Sequence, residues 1–146
     1  DGSLLTFIEY DGEDLSQAIA SVRPDGTELN TVVPFGFDVA VKHDWAPNGR
    51  RIVFTDNADD VSASANIATV RPDGTGLRYL THYRRARVRA YVGGYSPNGN
   101  WIVFRLEVGD RSGLFRMQPD GRAWREIIPL SSFRPRFIDW GPKLTV

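Results

Sequence analysis

The 146-residue sequence contains no cysteine, which excludes disulfides, thiolate metal sites and thiol nucleophiles together and leaves the redox compartment open. Histidine is scarce: His43 and His82 are the only two, 39 residues apart, so no zinc set of the usual composition can be assembled. No apolar run approaches the roughly 18 residues that a bilayer-spanning helix needs, and no segment keeps a helical period. Net charge is also missing, since 18 basic residues balance 18 acidic ones. That excludes a protein whose main business is coating nucleic acid or an anionic membrane. The chain opens Asp1-Gly2-Ser3, with neither an initiating Met nor a basic-then-apolar leader, and reads as a processed product or an excised piece. Its length allows one core and nothing appended.

The charge is balanced overall but not along the chain. Residues 1–60 carry 12 acidic and 4 basic residues, whereas residues 61–146 carry 6 acidic and 14 basic. Sixteen of the basic residues are Arg, and only Lys42 and Lys143 are Lys.

What is present is a repeat. Arg23-Pro24-Asp25-Gly26 returns as Arg71-Pro72-Asp73-Gly74 and again as Gln118-Pro119-Asp120-Gly121, at spacings of 48 and 47 residues. Trp45-Ala46-Pro47-Asn48-Gly49 returns as Tyr95-Ser96-Pro97-Asn98-Gly99 and decays to Trp140-Gly141-Pro142. Ile52-Val53-Phe54 is matched by Ile102-Val103-Phe104 and by Leu5-Thr6-Phe7. In each Pro-Asp-Gly or Pro-Asn-Gly, Pro presets the first corner of a turn, Asp or Asn tolerates the second, and Gly accepts positive φ. These are hairpin turns, and the β-branched and aromatic segments between them are strands, such as Arg51–Asp56, Ile67–Arg71, Leu77–Thr81, Trp101–Leu106 and Trp124–Ile128. Four strand-sized segments per 40 to 50 residues, repeated, predict an all-β β-propeller of four-stranded antiparallel blades.

These residues resemble the TolB-type propeller repeat, in which a Trp-Ser-Pro-Asp-Gly turn precedes an Ile-x-Phe strand, a strand ending near Asp-Gly, and a Leu-Thr pair. Tyr95-Ser96-Pro97-Asn98-Gly99 with Trp101-Ile102-Val103-Phe104 fits it, as does Leu80-Thr81. Asn48 and Asn98 occupy the Asp slot and Tyr95 the Trp slot. Asn keeps the turn chemistry.

With the strands of a blade lettered A to D, innermost first, the chain starts on B (Leu4–Glu9), C (Ala18–Arg23) and D (Leu29–Val33). Further A strands are expected at Phe37–Trp45, Val88–Tyr95 and Arg134–Trp140. The blade units are approximately 1–36, 37–83 and 84–130, and residues 131–146 form a last strand that belongs to the next or the first blade. That makes twelve strands cut out of phase, and three blades do not close a ring, since propellers use roughly four to eight. Two completions are open. The chain is half of a longer six-bladed propeller, or two chains associate head to tail, the last A strand of one entering the first blade of the other. The acidic start and basic end fit either.

Catalytic motifs dissolve on inspection. Gly94-Tyr95-Ser96-Pro97-Asn98 approaches a nucleophile elbow, but the fifth place is Asn98 and Ser96 shares its slot with Ala46 and Gly141. Asp56–Asp60 fails the calcium-loop template at Ala58 and Val61; with Asp11–Asp14 it forms two acidic loops at one blade position, an expected acidic patch. No metal and no cofactor is implied. A strands line the channel, so His43, Asp44, Arg87, Arg89, Arg136 and Asp139 are the polar channel candidates. Arg87 and Arg89, two apart, are expected on one strand face, with Arg134 and Arg136 at a comparable place, and Arg grips carboxylates bidentately.

No aromatics interleave these arginines, which argues against nucleic acid. The expected role is a non-catalytic module that binds a protein or peptide through the channel mouth and loop faces. By the resemblance its place is extracytoplasmic, periplasmic or secreted. The alternative is the gating or substrate-binding propeller of a larger enzyme, such as a prolyl-oligopeptidase-type serine peptidase.

Overall fold

The computed structural model describes residues 2–14, 16–56 and 63–141. Among them run eleven strands: β1 Leu5–Tyr10, β2 Gln17–Val22, β3 Asn30–Val33, β4 His43–Trp45, β5 Ile52–Asp56, β6 Asn66–Val70, β7 Arg78–Tyr79, β8 Val88–Tyr95, β9 Ile102–Val108, β10 Arg111–Met117 and β11 Arg125–Ser131. No helix long and apolar enough to cross a membrane occurs among these residues. The strands form three antiparallel sheets in simple meander order, β1-β2-β3, β4-β5-β6-β7 and β8-β9-β10-β11. The first sheet has three strands rather than four.

The turns obey the repeat. In all five, the Gly amide donates to the carbonyl three residues back: Gly26 to Arg23 at 2.9 Å, Gly49 to Ala46 at 2.8 Å, Gly74 to Arg71 at 2.9 Å, Gly99 to Ser96 at 2.8 Å and Gly121 to Gln118 at 2.9 Å. Each Gly has positive φ, the type I turn with a left-handed fourth residue that a hairpin's twist accepts. At Gly121 the need is doubled. Its φ is +85°, and a Cβ there would sit 2.6 Å from the Leu80 carbonyl oxygen of the preceding sheet.

Two expected strands are shorter than the sequence pattern implies. Of Phe37–Trp45 only His43–Trp45 is extended, because Gly36 and Asp38 take φ of +97° and +47° and turn the chain. Of Leu77–Thr81 only Arg78–Tyr79 pairs; Leu80 N and Thr81 N both donate to Ile67 O, and Thr81 Oγ1 accepts from Ile67 N at 2.9 Å, so a side chain replaces the ladder. The expected last strand, Arg134–Trp140, forms no ladder among the described residues. Pro135 has no N–H to give, and Phe137 sits at φ +52°.

Sheets stack face to face through two apolar layers. Ile19, Val32, Val33, Val39, Ile52, Phe54, Ala68 and Val70 fill the space between the first and second sheets. Val53, Ile67, Leu80, Val92, Phe104 and Met117 fill that between the second and third. At roughly 25 cal/mol per Å² of apolar surface removed from water, these layers are the main stabilising term. Equivalent polar contacts tie neighbouring sheets together: Asn30 Nδ2 donates to Pro72 O at 3.4 Å, and one repeat later Arg78 Nη2 donates to Asp120 O at 2.9 Å.

Candidate inner-strand cleft

The innermost strands are β4 and β8, and the 136–140 segment lies beyond them in the next inner-strand place. The close approach is made at Gly93 and Gly94. A Cβ on Gly93 would meet Ile138 Cγ2 and Ile138 O at 3.0 Å, and one on Gly94 would meet Asp44 Oδ2 at 2.7 Å. Tyr95 N donates to Asp44 Oδ2 at 2.7 Å, and Trp140 Nε1 donates to Gly94 O at 3.2 Å. The aromatic slot therefore works between blades, as does Trp45, whose Nε1 donates to Thr6 Oγ1 at 2.8 Å.

Between β8 and residues 134–138 opens a cleft of about 410 Å³. Lys42, Arg89, Tyr91, Arg105, Glu107, Arg134 and Arg136 supply its polar wall, with Val41, Val92, Phe137 and Ile138 as apolar lining. Its geometry follows from register. Arg89 pairs with Glu107 and Tyr91 with Arg105 across β8 and β9, and alternation puts Arg89 and Tyr91 on one face. The guanidinium of Arg89 lies 5.1 Å from the Tyr91 ring centre and that of Arg105 lies 4.3 Å from it. Arg105 is held further by Pro135 O, which accepts from Nη1 at 2.9 Å, and by Glu107 at 3.3 Å.

Of the residues singled out from sequence, Arg89, Arg134 and Arg136 line this cleft. Asp139 stands at its edge, 3.3 Å from Lys42 Nζ in an exposed pair of the kind worth under about 1 kcal/mol. Arg87 does not share a strand face with Arg89: it precedes β8 in the left-handed region at φ +64°, and its carbonyl accepts from Gly109 N at 2.9 Å. Asp44 is committed to Tyr95. His43 is half-buried on β4, and burial pushes its imidazole below the usual histidine range. Asp11 and Asp14 accept from the backbone N–H of Glu13 and Ser16, each at 2.8 Å, so those carboxylates cap their own turn. Positions 57–60 of the second acidic loop lie outside the described residues, as does Pro142. Lys42, Tyr91 and Arg105 were not anticipated. Tyr91 had a signal, two places after Arg89 on the same strand; Arg105 is visible only once β8 and β9 are in register.

Burial raises the Asp44 carboxyl above its ordinary range, against the Tyr95 N–H and Lys42, which lower it. A raised folded-state pKa means the folded protein binds the proton more tightly. Charged Asp44 then costs stability at neutral pH, and the cost is relieved as pH falls through the raised value toward about 4. Asp44→Asn keeps an acceptor for Tyr95 N and removes the charge. The stability of the variant relative to the parent should be more favourable at pH 7 than at pH 4 in urea titrations, because only the parent gains from protonating this carboxyl. Parallel profiles would contradict the assignment.

No protein-family model and no curated protein matches the sequence. Solved structures do match. A TolB-type protein from Agrobacterium tumefaciens superposes with a TM-score of 0.71 at 21% identity, over 86% of this chain and 45% of that one. The fold is a partial TolB-like β-propeller. A prolyl endopeptidase structure matches with a TM-score of 0.66 at 15% identity, over 88% of this chain and 20% of that one. A chain of the nidogen/laminin complex matches at 0.61 and 16%, over 86% of this chain and 43% of that one. The chain spans less than half the length of each.

Proposed function

We propose that the chain is a non-catalytic interaction module of a TolB-like propeller, binding a protein or peptide partner through the inner-strand cleft and adjoining loops, outside the cytoplasm. The cleft carries this reading. It is open, walled by fixed cationic and aromatic side chains, and set where inner strands face the channel of a ring. The test is capture from an envelope extract with the intact protein and with Arg136→Glu. Arg136 is solvent-exposed, so the fold should survive. Retention of every captured partner by the variant, and by loop variants, would discard the reading.

A second reading, a gating propeller of a larger peptidase, is favoured by the likeness to a prolyl endopeptidase. Turnover of proline-containing chromogenic peptides by the intact gene product would establish it in place of the first.

Ring completion belongs to the same proposal. The inner edge of β1 is unpaired among the described residues, and Leu5, Phe7 and Tyr10 are exposed on it. A partner half of a longer propeller covers this edge in the simplest case. Head-to-tail pairing of two copies is the other, and the repeat gives its register. His43, Asp44 and Trp45 pair with Phe54, Val53 and Ile52; in the same slots Ile138, Asp139 and Trp140 of one copy would face Phe7, Thr6 and Leu5 of the next. Arg134 and Arg136 then run toward acidic Glu9 and Asp11. Light scattering separates the two: a mass of 16.4 kDa at micromolar concentration rules out the paired copies.

A further inference from the structure

We infer that the inner-strand cleft takes an acidic peptide segment through its carboxylates, an inference that rests on the interaction function proposed above and names its ligand chemistry. Five basic side chains and one acidic one line the cleft. That imbalance sits in a chain whose net charge is zero, so the charge is concentrated where a ligand would enter. The cations are also arranged. Tyr91 lies within cation–π distance of both Arg89 and Arg105, which gathers two guanidinium groups, the planar cation that suits a carboxylate, on one wall of the cleft. Arg105 is further fixed by Pro135 O and Glu107, so little side-chain entropy remains to be lost on binding. Arg134 and Arg136 stand exposed on the facing wall.

The apolar lining decides between an acidic peptide and a bare anion. Val41 is 69% exposed and Phe137 97% exposed at the cleft, which is unused surface for an inorganic ion. It suits a segment that alternates carboxylate and aliphatic side chains. Nucleic acid fits less well: Tyr91 is covered by arginines, which leaves Phe137 as the single exposed ring among the lining residues, whereas single-strand binding stacks successive bases on several rings.

The experiment titrates the full chain with a fluorescein-labelled peptide alternating glutamate and leucine, with its glutamine counterpart, and with inorganic phosphate as competitor. The glutamate peptide should bind about tenfold or more tightly than the glutamine one, the ratio expected for a charge-assisted contact. Arg136→Gln and Arg134→Gln should each weaken it about tenfold, and Arg125→Gln, on the outer strand β11, should not. Affinity should fall between roughly 50 and 200 mM salt. Equal affinity for the two peptides overturns the carboxylate inference and leaves peptide binding standing. Full displacement of the peptide by low-millimolar phosphate overturns its peptide part. Absence of binding by every probe overturns the inference, whereas the capture experiment with Arg136→Glu judges the interaction function separately.

Discussion

Replacing Phe104 by alanine is expected to lower the unfolding free energy by about 3–5 kcal/mol, the cost of deleting a fully buried aromatic ring together with the cavity it leaves. Phe104 has no solvent exposure. Its ring stacks on Phe115 at 5.8 Å between centroids and meets the edge of Trp124 at 5.0 Å. It belongs to the apolar layer between the second and third sheets, so its loss weakens a sheet and an inter-sheet contact at once. Against a typical total of about 5–15 kcal/mol that is a large fraction, and urea denaturation followed by tryptophan fluorescence would read it. A loss below about 1 kcal/mol would mean the second and third sheets do not depend on this layer.

The repeat sharpens this result, because the same slot recurs three times in three surroundings. Phe54 and Phe104 are both 0% exposed, whereas Phe7 is 40% exposed. Phe54 and Phe104 each pack in the layer against the preceding sheet, the first and the second respectively, whereas no sheet precedes that of Phe7 among the described residues; an inner strand is the other difference. Phe54 has β4 and Phe104 has β8, but Phe7 on β1 has none among the described residues. Truncating Phe7 should accordingly cost much less in the free chain than truncating Phe104, and more wherever a partner covers that face of the first sheet.

The turns were fully legible, because Pro-Asp-Gly and Pro-Asn-Gly carry their geometry in their own φ preferences. The sheets were legible from the same markers, since a fixed period leaves few ways to order strands. Strand ends were not. The break at Asp38 needs a positive φ at a residue that adopts it only here, and the shortening of β7 comes from Thr81 turning its hydroxyl onto Ile67 N, a tertiary choice. The cleft was half legible. Arg89 declares itself as a charge on an inner strand, and Arg134 and Arg136 as charges in the next inner-strand place. Tyr91 and Arg105 come together through a cross-strand pairing whose offset is set by the register shift between Val92 and Gly94, and no single-strand pattern reports that shift. Arg87 was misplaced for a related reason: period-2 reasoning holds only inside a strand, and β8 begins one residue later.

Gly93 is where the cleft depends on the absence of a side chain. An alanine Cβ there would lie 2.9 Å from Val103 Cγ1 and 3.0 Å from both Ile138 Cγ2 and Ile138 O, so something must move. Val103 is 4% exposed and paired into β9, which makes it the fixed partner. Ile138 lies in a segment that forms no ladder, held by Trp140 Nε1 on Gly94 O and by Pro135 O on Arg105, which makes it the one that gives way. Gly93→Ala should therefore push residues 134–140 off β8 and carry Arg134 and Arg136 out of the cleft wall, while the three sheets keep their layers. Leaving the segment in place instead would cost about 1–3 kcal/mol of overpacking. Two readouts follow from displacement: tryptic cleavage after Arg136 accelerates, and affinity for the glutamate peptide falls at least as far as in Arg136→Gln. Unchanged cleavage together with unchanged binding would show that the segment is not held by its contact with Gly93. Loss of the tail with binding intact would move the site away from Arg134 and Arg136 and onto Arg89, Tyr91 and Arg105 alone.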